Sequence, residues 1–371
     1  MMGLMEYQIH PALLWKPEGE DARCGLCERR CLVAHGKTGF CKARRNAGGT
    51  SPPAGAGGVP KFAGVPANFA NLVTLTYGNL SSVESRPIEI KPFYHYWPGS
   101  SALTFATFSC NLSCHWCQND SISRSLPPAE NEFTSPEQLV AMAKEAGDDG
   151  LCASFQEPTL LLEYCLDLFK LAKKQGLYCC FVSNGYMTSE ALELLEEAGL
   201  DGLKIDIKGG PEVYREYCGK VDGSIPWKRA EEARELGIHV EIVNLLVTDL
   251  NDDADSVKAL VEHHLEILGQ DVPLHFTRYH PAHKFTRPPT PGIRLERARE
   301  LAFSAGVRFP YLGNMHGHKY ENTYCPECGK LLILRQGPRV LDVRLTESSA
   351  CPNCGEDIPI TGTAKVTHIP W

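Results

Sequence analysis

Three cysteines, Cys110, Cys114 and Cys117, stand three and then two residues apart in Phe108-Ser109-Cys110-Asn111-Leu112-Ser113-Cys114-His115-Trp116-Cys117-Gln118-Asn119. Thiols at this spacing can converge on one inorganic centre, so the fold has to wrap a loop around it. Three is the informative count. A closed zinc site takes four protein ligands, whereas an iron–sulfur cubane held by three cysteinates keeps one iron open to a further ligand. On spacing alone, a zinc knuckle or three buried thiols competes with that reading.

The remaining cysteines fall into a pattern of their own. Of 16 in the chain, four lie near the N-terminus (Cys24, Cys27, Cys31, Cys41) and four near the C-terminus (Cys325, Cys328, Cys351, Cys354). No apolar run is long enough to span a bilayer, and the first ten residues lack the build of a secretory signal. The expected setting is therefore cytoplasmic, without a membrane partner, where dense cysteine spacing reads as metal binding rather than disulfides. Cys152, Cys165, Cys179, Cys180 and Cys218 sit in apolar surroundings and read as packing residues. A net charge of -8 argues against broad nucleic-acid or anionic-membrane binding.

The N-terminal set closes a four-ligand site that suits zinc or a second [4Fe-4S] cluster equally well by count. The C-terminal set forms two CPxCG knuckles, the signature of a zinc ribbon, with rubredoxin-like iron as the second fit. Between the first and second sets, 48–66 is a glycine and proline mixture without apolar periodicity, hence a loop or linker. Asn71 to Tyr77 alternates like a short strand. The aromatic-rich Ile88 to Trp97 leads into the core, its rings read as packing.

From the triad onward strand and helix patterns alternate. Strands are predicted near Leu103–Thr107, Leu151–Ser154, Tyr178–Ser183, Gly202–Ile207, His239–Val247 and Leu274–Tyr279, with a seventh at Val307–Leu312. Helices fill the gaps. Ser135-Pro136-Glu137-Gln138 is a capping box for a helix stopping at Gly147, and further helices span Leu160 to Gln175, Ser189 to Ala198 and Asp253 to Leu268. Parallel strands with helical crossovers put a functional site at the strands' C-terminal ends.

Polar residues collect there. Gln156 and Glu157 follow the second strand, where Glu157 also reads as a plain turn or helix N-terminal charge. Ser183-Asn184-Gly185 ends the third strand with short side chains suited to ribose hydroxyls, and a simple turn explains it almost as well. Asp206 and Lys208 share one face of the fourth strand and read, by themselves, as an ion pair. Asn244 and His280 close the fifth and sixth.

In order, CxLCxxxC from Cys24, YHYWPGS, CxxxCxxCQN, EPT, the D-x-K strand, RYHP and NTYCPxCG resemble the radical S-adenosylmethionine (SAM) superfamily. Within it they resemble the radical SAM protein of the AmmeMemoRadiSam system, related to pyruvate formate-lyase (glycyl-radical enzyme) activating enzyme. The resemblance runs from about Cys24 to Cys354. It implies an α/β fold: a partial (β/α)6 radical SAM barrel with an N-terminal four-cysteine metal-binding segment and a C-terminal zinc-ribbon-like module. Expected boundaries are 1–47, a lead-in at 48–98, the core at 99–313 and the ribbon at 314–371.

The same resemblance implies a [4Fe-4S] cluster on Cys110, Cys114 and Cys117, whose open iron binds SAM and cleaves it reductively to a 5'-deoxyadenosyl radical that abstracts hydrogen. It places Trp116, Asn119, Gln156, Glu157, Ser183, Asn184, Asp206, Lys208, Asn244 and His280 around SAM, with Glu157 accepting from the α-ammonium. Phe155-Gln156 depart from the tyrosine and asparagine expected there. Implied partners are an electron donor such as ferredoxin or flavodoxin, an unknown substrate (protein, small molecule or RNA) and other proteins of the same system. A glycyl-radical-type protein activase, an RNA- or small-molecule-modifying enzyme and a non-enzymatic zinc scaffold stay open as alternatives.

Overall fold

The computed structural model describes residues 9–48, 71–128 and 130–367; the linker reading past Gly48 lies outside them. An eight-stranded sheet keeps its strands in chain order. They are β1 (Ser82–Pro87), β2 (Ser101–Ala106), β3 (Gly150–Ala153), β4 (Tyr178–Ser183), β5 (Gly202–Ile207), β6 (His239–Leu246), β7 (Leu274–Arg278) and β8 (Pro310–Gly313). β1 pairs antiparallel with β2, and all later pairings are parallel. The crossovers carry α1 (Pro136–Ala146), α2 (Leu162–Lys174), α3 (Ser189–Ala198), α4 (Ile225–Glu235), α5 (Ala254–Leu268) and α6 (Gly292–Ala305). Right-handed crossovers without any reversal of strand order keep the helices on one face, and the sheet curls into the partial (β/α)6 barrel.

Local chemistry sets the helix ends. Ser135 Oγ accepts from Gln138 N at 3.2 Å while Gln138 Oε1 accepts from Ser135 N at 2.7 Å, and Gly147 in the left-handed region ends α1. Such a cap stabilises by about 1 kcal/mol. The predicted helix from Leu160 splits instead. Pro158–Leu161 forms a 3-10 turn capped by the Glu157 side chain, and α2 begins after it. Helices α4 and α6 bury one large apolar side chain each, Trp227 and Leu295, beside Ala230, Ala233, Ala298 and Ala302, while Ile293 and Phe303 stay exposed, so their apolar stripe is faint in the sequence.

Strand alternation divides the side chains. Leu103, Phe105, Leu151, Phe181, Leu203, Ile205, Ile242 and Phe276 face the helices and are buried. Phe181 packs on Phe169 of α2 with ring centroids 5.7 Å apart, and truncating either to alanine costs about 3–5 kcal/mol. The other register turns Cys152, Cys180, Lys204, Asp206 and Thr277 inward.

The aromatic lead-in plugs the barrel at the strands' N-terminal ends. Tyr96 meets Tyr178 edge-on at 5.1 Å, and Trp97 stacks on Tyr178 at 5.5 Å. A Cβ on Gly150 would lie 2.1 Å from the Tyr178 ring, and one on Gly202 2.8 Å from Tyr96, so both strands start on glycine where these rings press against the backbone. The packing reading of the lead-in aromatics therefore holds. The C-terminal module covers the same end: Trp97 N donates to Thr361 O at 2.8 Å, and Arg335 Nη2 to Tyr94 O at 2.8 Å. Its three short strands, Thr323–Tyr324, Leu331–Gln336 and Arg339–Val343, are antiparallel. The N-terminal segment packs on the helices through the fully buried Arg44–Glu163 ion pair, with Leu13 N donating to Glu163 Oε1 at 2.8 Å. Among the described residues no helix is long and apolar enough to cross a membrane.

Candidate active site

With one end of the barrel plugged, a cavity of about 340 Å³ remains at the C-terminal ends of the strands. The loop after β2 brings Cys110, Cys114 and Cys117 to its wall. Ser109, at φ 75°, turns the chain out of the strand; its N–H donates to Ile122 O at 2.9 Å and its hydroxyl to Ser125 O at 2.7 Å. The other side of the loop is laced to the end of the short helix Pro211–Tyr217: Ser113 N donates to Cys218 O and His115 N to Tyr217 O, both at 3.1 Å. Trp116 is buried against Tyr217 and Phe285, which fixes the loop's height over the barrel.

Burial pushes the Cys110 and Cys117 thiols up. Cys114 is held down at about 7, first by the neighbouring Cys218 thiol, then, against burial, by the charges of Lys208 and Arg124. Three sulfurs taken out of water, with cationic side chains close to one of them, suit a positively charged inorganic core that stabilises the thiolates. Cys218, read from the sequence as packing only, is buried and also neighbours Cys114. Nothing in its local sequence marks that, because the contact is made through space across a hundred residues.

Glu157 is fully buried and accepts from four donors. They are Thr159 N (3.1 Å), Thr159 Oγ1 (2.5 Å) and Ser183 Oγ (2.8 Å) on Oε1, and Asn184 N (2.9 Å) on Oε2. Burial still outweighs these bonds and raises its pKa. Ser183 Oγ in turn accepts from Gly185 N, and the Asn184 amide is shared between Asn111 Oδ1 (2.8 Å) and Tyr186 N (2.9 Å). These side chains are bonded inside the protein and hold the walls in register. Asn119 likewise donates to Phe155 O, joining the triad loop to the turn after β3.

Gln156 differs. It lines the cavity at 7% exposure, and neither amide atom has a partner within the protein. Unpaired buried amides are costly, so such a group is suited to a ligand. Asp206 receives both Lys204 and Lys208, the latter at 3.0 Å. Burial raises Asp206, but the two ammonium groups outweigh it and hold the carboxyl at about 2. His280 stands exposed at the mouth. Asn244 does not line the cavity; its amide donates to Ile207 O at 2.8 Å.

The outer cysteine sets differ from each other. Cys325, Cys328, Cys351 and Cys354 place their sulfurs within 4.8 Å of one another, with 3.5 and 3.6 Å for two pairs. A tetrahedral ion with metal–sulfur bonds of about 2.3 Å needs sulfurs roughly 3.7 Å apart. Among the described residues no other group of three or more such ligands is drawn that close. Cys24 and Cys27 are buried and Cys31 and Cys41 half-buried, with Cys27 bridged to Met187 and the Thr188 hydroxyl donating to Gly25 O at 2.8 Å.

The sequence profile of the radical SAM superfamily matches residues 105–263, from the end of β2 into α5. An uncharacterized protein of Methanocaldococcus jannaschii is 35% identical over 350 residues, covering 93% of this chain and 97% of that one. The pyruvate formate-lyase-activating enzyme of Clostridium pasteurianum is 26% identical over 170 residues, 44% of this chain and 68% of the relative. A crystallised domain of the pyruvate-formate lyase-activating enzyme of Bacteroides vulgatus superposes with a TM-score of 0.39 at 18% identity, over 44% of this chain and 99% of that one. The match begins where β2 hands the chain to the three-thiol loop and runs through most of the barrel: over residues 105–263 this chain belongs to the radical SAM superfamily.

Proposed function

We propose that the chain is an enzyme that reductively cleaves SAM and abstracts hydrogen from a substrate seated in the barrel. Cys110, Cys114 and Cys117 would hold the [4Fe-4S] cluster, and Gln156, Lys208 and His280 would meet SAM. Cluster and SAM together supply a one-electron cleavage of the sulfonium, giving methionine and a 5'-deoxyadenosyl radical. Lys208, steadied by Asp206, offers an ammonium to a carboxylate. The free amide of Gln156 offers both a donor and an acceptor. Glu157, Ser183, Asn184 and Asn119 act one step back, by keeping the three walls in place. Burial of the thiols and the apolar Leu112 and Trp116 keep water from them.

The observation that carries this reading is the convergence, in one cavity, of three thiols, an unpartnered amide and the Asp206–Lys208 pair. A low-potential one-electron donor of the ferredoxin or flavodoxin class is required, and zinc is proposed for the ribbon. Anaerobic reconstitution with iron and sulfide tests the proposal. The expected product carries about four irons on the triad and, once reduced, an electron paramagnetic resonance signal that changes on adding SAM. Zinc at the triad with no labile sulfide would refute it.

A further inference from the structure

The chain segment that plugs the barrel also sends Lys91 into the cavity. Its side chain is almost out of solvent, at 4% exposure. Its ammonium lies 4.3 Å from the centre of the Phe155 ring. The other two lysines of the cavity, Lys204 and Lys208, share Asp206. Among the described residues no carboxylate forms an ion pair with Lys91. Glu84, which acts on it from a distance, is bonded to Arg86 at 2.6 Å. A ring face does not neutralise a charge, and burial accordingly pushes the Lys91 pKa down. Next in the turn stands Gln156, whose two amide atoms are unpartnered. Phe155 itself is held at φ 72°, a costly conformation for a bulky residue that is found at ligand clamps.

We propose that the substrate carries a carboxylate, received by the Lys91 ammonium and Gln156 Nε2, which leaves Gln156 Oε1 to meet SAM. One unpaired cation beside one amide donor matches a planar, singly charged, two-oxygen group. A dianionic phosphate would ask for a second free cation: Lys204 and Lys208 share Asp206, and Arg278, which also lines the cavity, donates its Nε to Thr290 O at 2.8 Å. This rests on the cavity being the SAM site, since only then is the anchored molecule beside the radical.

Calorimetric titration of the reconstituted enzyme with SAM bound and no reductant tests it, using succinate, its uncharged analogue succinamide and inorganic phosphate as probes. Succinate is expected to bind wild type, to bind Lys91→Met at least about tenfold more weakly, the scale of losing a charged hydrogen bond, and to recover in Lys91→Arg. Succinamide is expected not to saturate. Equal succinate affinity in wild type and Lys91→Met, no succinate binding to wild type, or tighter binding of phosphate would overturn the assignment. Lys91→Gln serves if the methionine variant does not fold. Because no reductant is present, failure here is separate from failure to form 5'-deoxyadenosine.

Discussion

The Asn184 side-chain amide donates to Asn111 Oδ1 at 2.8 Å, while the Asn184 backbone N–H donates to Glu157 Oε2 at 2.9 Å. One residue at the end of β4 therefore ties the triad loop to the turn after β3. Asn184→Ala strands a buried acceptor on Asn111, whose Nδ2 already lacks a partner. The expected loss is about 1–3 kcal/mol, with faster release of iron to a chelator. Release at the wild-type rate would show that the tie does not hold the loop.

Asp206→Asn leaves Lys204 and Lys208 without their shared counter-charge. Stranding a buried charge costs roughly 3–5 kcal/mol. The loss here should be smaller, because Asp206 keeps 30% side-chain exposure and water screens the site. SAM affinity, read by equilibrium dialysis, should fall more than about tenfold if Lys208 loses its orientation, on the strength of charged hydrogen bonds. Unchanged affinity would remove the pair from the SAM site.

Acid should destabilise the protein through its buried neutral histidines. Burial, the largest cause in each, pushes His95 down to about 3 and His264 down to about 4, from an ordinary value of 6.5. Their folded values are depressed, so the unfolded chain takes up protons first. The stability they contribute is present above about pH 6.5 and is lost as pH falls towards the folded values. Glu89, raised to about 7 by burial, works in the opposite sense, losing stability as pH rises from 4.5 through 7. The comparison between variants is thus the informative quantity. His264→Gln should flatten the fall in unfolding free energy, from urea titrations, between pH 7 and pH 5 by up to about 1.4 kcal/mol per pH unit. An unchanged slope would mean that His264 is charged in the folded protein.

How much of this could be read beforehand depended on whether the signal was local. The triad, the CPxCG knuckles, the α1 capping box and the Asp206–Lys208 alternation are each set by neighbours within a few residues, and the structure keeps them. The helices α4 and α6 leave a faint apolar pattern because many of their buried positions are alanines, beside Trp227 and Leu295. Arg44 with Glu163, Cys218 with Cys114 and the lone charge on Lys91 are pairings, or missing pairings, between distant segments. No local periodicity records them. Ser183 and Asn184 line the cavity; what the sequence does not record is that their side chains also bond to Glu157, Gly185, Asn111 and Tyr186.

The ribbon should behave as a metal-dependent plug. Cys351→Ser removes one of four sulfurs already drawn within 4.8 Å, and one equivalent of zinc should be lost by elemental analysis. Because Arg335 of this module donates to Tyr94 O and Thr323 Oγ1, each at 2.8 Å, the melting temperature should fall as well. Full zinc retention would mean that the ion is held elsewhere.

The account turns on whether the triad supports cleavage of a sulfonium. The direct measurement is 5'-deoxyadenosine formed by the anaerobically reconstituted protein with SAM and dithionite, beside Cys114→Ala treated identically. The account predicts product from the wild-type protein and none above background from the variant. Equal amounts from both, or none from either despite a full complement of iron and sulfide, would contradict it.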